Sequence, residues 1–304
     1  MKKVFCVFLI LIFCVFYSQN SLVSLQQAFP EKYDRYIVKK ENGQLKLKDE
    51  YKYLDSVNIY GYNYSSYDNL KIRGFLIEPR IKGNYPVIIF NRGGNKDNGL
   101  VSLQTMTDFL SKIAVKGYII IGSQLRGNSQ SEGNDEFGGK DIGDVLKLLE
   151  IIDHQSNADI KKIGMLGVSR GSMTSYLVLK ETNRVKVNVT IGGIADLNQK
   201  ERPEMYELYK QLIPDFDKNP SKELDKRSPI LSIPLIKNKQ LKNFIIHGAN
   251  DERVNVDNAL LLFNNLKSNN LSTKLLIYED ANHGINNNTD NLLNEIILFF
   301  KNHL

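Results

Sequence analysis

Ile163–Gly164–Met165–Leu166–Gly167–Val168–Ser169–Arg170–Gly171–Ser172 carries an apolar, strand-like run into a serine with a glycine two positions away on either side. The stretch Ser172–Lys180 that follows is helix-like, so Ser169 stands at a strand-to-helix turn. Such a turn crowds the backbone around the serine, and glycine relieves the crowding because it has no Cβ. The hydroxyl then projects at a helix N-terminus, where backbone N–H groups have no intrahelical acceptor. A serine between glycines is also a good helix cap. Position favours the nucleophile, because the pentapeptide sits in the middle of an alternating series of strands and helices.

That series begins after Pro86. Apolar runs of strand length lie at Val87–Phe90, Tyr118–Gly122, Ile163–Gly167, Phe244–Ile246 and Lys274–Tyr278. Short continuous apolar blocks are expected where a parallel strand is covered on both faces. Val185–Ile191 joins them as an alternating strand. Helical spacing appears in Ile142, Val145, Leu146, Leu149 and Ile152, in Leu260, Phe263 and Leu266, and in Leu292, Leu293, Ile296, Ile297 and Phe300. The expected fold class is therefore α/β, with a mostly parallel, doubly wound sheet. Upstream, Val57, Ile59 and Gly61 alternate with polar partners, and Leu70–Ile77 follows after turn-forming residues, which predicts an antiparallel hairpin. Residues 20–52 are polar and weakly patterned, and are expected to form an irregular arm.

One segment interrupts the alternation. Residues 196–240 hold five of the eight prolines, and Met205, Leu208, Tyr209, Leu212 and Ile213 share one helical face within it. Its place at the carboxyl edge of the sheet makes it a small cap insertion. It serves either as a stabilising helix or as a lid.

A serine nucleophile needs a base. Of the four histidines, His247 ends an apolar strand, His154 follows a helical run and His303 is next to last. Those placements suit packing or solvation. His283 lies in Ala281–Asn282–His283–Gly284, a loop between the last strand and the last helix, where an imidazole is free to work near neutral pH. Asp251 follows the penultimate strand in His247–Gly248–Ala249–Asn250–Asp251, and Asp280 is its competitor. Ser, Asp, His is the chain order of the α/β-hydrolase fold, which selects Ser169, Asp251 and His283. The oxyanion hole is expected from Arg92 and Gly93, in the glycine-rich loop after Val87–Phe90, and from the backbone N–H of Arg170.

Arg126–Gly127, followed by Glu136–Phe137–Gly138–Gly139–Lys140–Asp141 before a helix, resembles the catalytic domain of the prolyl oligopeptidase family of serine peptidases. The Ser169 elbow, Arg227–Ser228–Pro229, His247–Gly248 to Asp251 with Val254, and His283–Gly284 are similar too. The resemblance covers roughly residues 55–304. It implies acyl transfer through a serine ester with no metal or organic cofactor, and structural bracing by Arg126 and Asp141. Larger members carry an N-terminal β-propeller, for which this sequence leaves no room. Many members also place Tyr or His where Arg92 stands and use that side chain in the oxyanion hole.

Composition bounds the rest. Lys2 and Lys3 precede an uncharged run, Val4–Tyr17, and Ser18, Gln19 and Asn20 follow it. The run is shorter than the roughly 20 apolar residues that span a bilayer, so residues 1–19 read as a signal peptide and the mature chain as exported, periplasmic or secreted, with no membrane contact after cleavage. Both cysteines, Cys6 and Cys14, fall inside it, which removes disulfides and thiolate chemistry from the mature chain. About 285 residues remain, enough for one large domain over 53–304. The net charge of +6 carries no basic block, so nucleic acid is not expected as a partner. The expected partner is a small peptide or ester substrate, and the sequence leaves the oligomeric state unspecified. Three functions stay open: a peptidase for short peptides, a carboxylic-ester hydrolase, and a binding protein that kept the fold without catalysis.

Overall fold

The computed structural model describes residues 36–199 and 203–304. The expected signal peptide and the start of the arm lie outside the described residues. Eight strands form one sheet: β3 (Val57–Ser65), β4 (Lys71–Pro79), β5 (Tyr85–Asn91), β6 (Ile119–Ser123), β7 (Ala158–Val168), β8 (Val185–Ile191), β9 (Lys242–Gly248) and β10 (Ser272–Tyr278). Their order is β10-β9-β8-β7-β5-β6-β4-β3. The six from β10 to β6 run parallel, while β4 pairs antiparallel with both β6 and β3. The expected hairpin is β3–β4, with Val57 opposite Pro79 and Ser65 opposite Lys71.

Helices cover both faces, and β5 explains why its sequence is continuously apolar. Val87 and Ile89 face one buried cluster, and Ile88 and Phe90 face the other. The first cluster is closed by α2 (Asp141–Asp153), α3 (Arg170–Leu179) and α7 (Asp257–Ser268). The second is closed by α1 (Ser111–Ala114) and α8 (Thr289–His303). Each large aliphatic side chain so buried contributes about 1.5–3 kcal/mol relative to exposure.

The topology sets the position of the site. After β5 the chain builds β6 on one side and then returns to place β7 on the other. Such a reversal opens a crevice at the carboxyl ends of the two strands that flank it. Asn91 of β5 pairs with Gly167 of β7, so the loop beginning at Arg92 emerges beside the turn at Ser169.

The structure departs from the sequence reading in three places. β7 begins at Ala158, ahead of Ile163, because a bulge between Pro86 and Val87 lets β5 pair with the polar Ala158–Asp159 end. A π-helical turn, Thr105–Leu110, and α1 fill the β5–β6 connection, for which the sequence reading named no helical residues. The arm is more regular than expected. Over its described part β1 (Val38–Glu41) and β2 (Gln44–Leu47) form a hairpin, and a 3-10 segment, Asp49–Ser56, follows. Asn42 and Gly43 at the hairpin turn both have positive φ, the conformation that a two-residue type I′ turn requires. Ile37, Val38, Leu47 and Leu54 of this arm are buried in the second cluster.

In the region of the expected cap stand α4 (Pro203–Leu212), α5 (Pro220–Asp225) and α6 (Pro229–Ser232). Tyr209, Leu212 and Ile213 are buried in the first cluster, and Met205 and Leu208 pack against it. The expected apolar face is therefore turned inward.

Candidate active site

Ser169 caps α3 with φ 55° and ψ −121°, a backbone conformation that side-chain-bearing residues rarely adopt. Strain of this kind persists only where the surroundings over-determine it. Its N–H donates to the Ile191 carbonyl of β8 at 2.7 Å. The two flanking glycines are required by contact. A Cβ on Gly171 would stand 1.9 Å from the Asn91 carbonyl oxygen, and one on Gly167 would stand 2.4 Å from the Gly171 oxygen.

The carboxyl ends of β9 and β10 deliver the other two groups. His283 Nδ1 donates to Asp251 Oδ2 at 2.7 Å, which leaves Nε2 as the proton acceptor of the ring. Asp251 Oδ1 accepts the N–H groups of Arg253 and Val254, each at 2.9 Å. Burial alone would raise this carboxyl, but hydrogen bonds from His247, His283 and Val254 hold it well below the ordinary carboxylate range. Glycine again permits the approach. A Cβ on Gly248 would lie 2.3 Å from the Ala281 oxygen, and one on Gly192, where φ is +58°, would lie 3.2 Å from His283 Nδ1.

Among the other histidines, His154 and His303 are exposed, and so is the competing Asp280. His247 is fully buried, and packing alone does not describe it. Its Nε2 lies 2.8 Å from the Val254 oxygen and 3.2 Å from Asp251 Oδ2. Both neighbours are acceptors, so Nε2 carries the proton. The sequence reading passed over this contact, although the spacing of four residues between His247 and Asp251 was available to suggest it.

The loop after β5 lies against Ser169, since a Cβ on Gly93 would stand 3.2 Å from Ser169 Cβ. The Arg92 guanidinium is committed to backbone carbonyls. Nε donates to Gln124 O at 3.1 Å, one terminal nitrogen to Asn98 O at 3.0 Å and the other to Lys96 O at 2.7 Å. Burial, with the nearby Arg170 charge, lowers its pKa to about 10. Arg170 occupies the first position of α3, where its own N–H has no intrahelical acceptor. Its side chain forms a salt bridge with Asp135 at 2.6 Å and with Asp141 at 3.0 Å. Of the two expected braces, Asp141 holds Arg170, and Arg126 pairs with Asp144 and Asp68. Asp135, Asp144 and Asp68 carried no sequence signal of these roles.

The sequence pattern of the prolyl oligopeptidase family matches residues 104–304. The chain belongs to this family. It is a serine hydrolase of the peptidase kind. The chain is 28% identical over 230 residues to the uncharacterized peptidase YtmA of Bacillus subtilis, an alignment covering 75% of this chain and 86% of that protein. Among solved structures, a puromycin-hydrolyzing peptidase of Mycobacterium tuberculosis superposes with a TM-score of 0.70 at 16% identity, over 88% of this chain and 43% of that one. The Pyrococcus furiosus esterase Pf2001 superposes with a TM-score of 0.64 at 19% identity, over 82% of this chain and 93% of that one. The chain thus spans most of YtmA and under half of the mycobacterial peptidase.

Within this prolyl oligopeptidase domain a cavity of about 630 Å3 opens over Ser169 and His283. Phe90, Phe109 and Leu292 line one side of it, and Phe137, Ile194, Met205 and Tyr209 line another. Tyr209 stacks edge-on against Phe137 with centroids 5.1 Å apart, so α4 roofs part of the cavity. Arg253 adds an exposed guanidinium at its margin. Among the described residues, no three His, Cys, Asp or Glu side chains converge as a metal-binding set.

Proposed function

We propose that this chain cleaves short peptides through an acyl-enzyme formed on Ser169, with His283 as general base and Asp251 as its orienting partner. The observation that carries the reading is the 2.7 Å bond between His283 Nδ1 and Asp251 Oδ2, in a cavity that Ser169 also lines. With Nδ1–H committed to the carboxylate, Nε2 takes the proton as Ser169 Oγ attacks the substrate carbonyl carbon. The developing oxyanion is received by backbone N–H groups of Gly93 and Arg170. His283 then returns the proton to the leaving amine, and water repeats the sequence to release the acid. The cavity is of the size that takes a small ligand, which suits a few substrate residues and not a folded protein.

Ester hydrolysis by the same residues is the second reading, and an esterase of this fold and similar extent supports it. The expected leader at residues 1–19 would carry either activity out of the cytoplasm, and a mature protein beginning near Asn20 in the medium or periplasm would establish that. The activity test pairs a fluorophosphonate probe with short chromogenic peptides and simple esters. Wild-type protein labels and cleaves the peptides, and Ser169→Ala does neither while remaining folded, with a loss on the order of a million-fold. Turnover of esters with a broad peptide library uncut would select the esterase, and full labelling of Ser169→Ala would remove the assignment.

A further inference from the structure

The two halves of the oxyanion hole come from different elements. One donor is the Arg170 N–H at the start of α3, and the other lies in the loop after β5. Strand pairing fixes the two elements only as far as Asn91 and Gly167. Beyond that point the loop leaves the sheet, and something else must hold it against the nucleophile.

The Arg170 side chain does so. One terminal nitrogen donates to Asp135 Oδ2 at 2.8 Å and to the Gly94 oxygen at 3.3 Å. The other donates to Asp135 Oδ1 at 2.6 Å and to Asp141 Oδ2 at 3.0 Å. The guanidinium plane lies over the Phe137 ring, 4.4 Å from its centre. Asp135 then passes the contact on, accepting the Lys96 N–H at 3.0 Å and the Phe137 N–H at 2.9 Å. Lys96 is thus held at both ends of its backbone, with its N–H on Asp135 and its C=O on Arg92.

The conformations involved are costly ones. Lys96 and Phe137 both have φ +47°, and Ser169, which precedes Arg170, has φ +55°. None of the three is glycine, and each such conformation persists only where the surrounding structure over-determines it. One carboxylate fixes two of these residues, and its guanidinium partner follows the third. A buried ion pair is weak support for stability in its own right. A bidentate fork does supply a fixed geometry, which is what the hole needs.

We propose that Asp135 and the Arg170 side chain are positioning residues for the reaction, a clamp that sets the loop donor against the Arg170 N–H so that both meet the oxyanion. The proposal rests on the reading of Ser169 as nucleophile. Asp135 touches no substrate in this scheme. It acts through the backbone of the loop.

The experiment compares wild type, Asp135→Asn and Arg170→Lys, with fluorophosphonate labelling of wild-type Ser169 measured first. For each folded variant, kcat and KM are taken on a short chromogenic substrate. Affinity is also measured for a peptide boronic acid, which forms a tetrahedral anion on the serine, and for the carboxylic acid product. Displacement of the donors should lower kcat about 10- to 100-fold, since one donor lost outright costs about 10²–10³ and a shift on the order of 1 Å costs about 10². KM and product affinity should stay within about threefold, while boronate affinity falls in step with kcat. A brace that served stability alone would lower the melting temperature and leave the ratio of boronate to product affinity unchanged, and that result overturns the proposal. If Asp135→Asn does not fold, Arg170→Lys decides, because lysine keeps the charge beside Asp135 and loses the fork. A wild-type chain that neither labels nor turns over removes the serine reading itself, whereas a labelled wild type with unaffected variants removes only the clamp.

Discussion

His247 Nε2 and His283 Nδ1 converge on a single atom, Asp251 Oδ2, at 3.2 Å and 2.7 Å. Oδ1 accepts two backbone N–H groups, one of them from Val254, and the hydrogen bond of His247 Nε2 goes to the Val254 carbonyl, beside Oδ2. His247 therefore holds Val254, whose N–H helps to fix the carboxylate on which the His283 ring depends. A buried carbonyl left without its donor costs about 1–3 kcal/mol. His247→Leu should lower stability by about that amount and reduce turnover, and His247→Gln, which keeps a donor near the Nε2 position, should recover much of both. Thermal denaturation and kcat for the two variants check this. Equal behaviour of Leu and Gln would show that His247 acts by volume alone.

Arg92 is read differently once its contacts are known. If its backbone N–H is the oxyanion donor, loss of the side chain should leave most activity, because that donor remains. The structure adds a stability cost, since the buried Gln124 carbonyl loses its donor, while those of Lys96 and Asn98 stand in an exposed loop where water can replace it. A buried carbonyl left unsatisfied costs about 1–3 kcal/mol. Arg92→Ala should melt below wild type, yet retain turnover within about 100-fold at a temperature where it is folded. A loss of about 10²–10³ with unchanged stability would instead put the guanidinium on the oxyanion.

What could be read in advance followed the range of each interaction. The Ser169 turn was legible because its glycines, strand and helix are local in sequence. Asp251 and His283 followed from chain order along an alternating fold. The Asn42–Gly43 hairpin was also local, but Lys39, Lys40 and Lys46 masked the strand alternation around it. Met106, Leu110 and Ile113 have helical spacing, yet they follow a loop rich in glycine and asparagine and were lost with it. Asp135 had no signal at all, because its meaning lies in Lys96 and Arg170, 39 and 35 positions away.

Gly192 supplies a test of how tightly the site is built. Its φ is +58°, and a Cβ there would stand 3.2 Å from both His283 Cε1 and His283 Nδ1 and 3.5 Å from Asp251 Oδ2. Gly192→Ala therefore strains the backbone and presses on the imidazole from below. The backbone term should cost about 1–2 kcal/mol of stability. The displacement of the ring should lower the rate of fluorophosphonate labelling by at least about tenfold. A variant that labels at the wild-type rate would mean that His283 has room to move aside without consequence.

The last prediction concerns acid. Burial would raise the Asp135 carboxyl, but the Arg170 guanidinium and the N–H groups of Phe137 and Lys96 more than offset it and hold the group at about 2. An unfolded chain returns it to the ordinary value of 3.8. As pH falls below about 4, the unfolded state takes up this proton first while the native state still carries the carboxylate, so stability declines. The contribution is fully present above that value and is gone once pH has fallen through about 2. The fall from 3.8 to about 2 corresponds to roughly 2.5 kcal/mol. Asp251, also held low, adds a loss of the same sign. Urea denaturation of wild type and Asp135→Asn from pH 6 to pH 2.5 measures the effect. Asparagine cannot take up the proton, so the variant should start less stable at pH 6 and lose less on acidification, and the two curves should converge. Parallel curves would mean that Asp135 has the same proton affinity folded and unfolded, and that its bonds to Arg170, Lys96 and Phe137 do not favour the carboxylate.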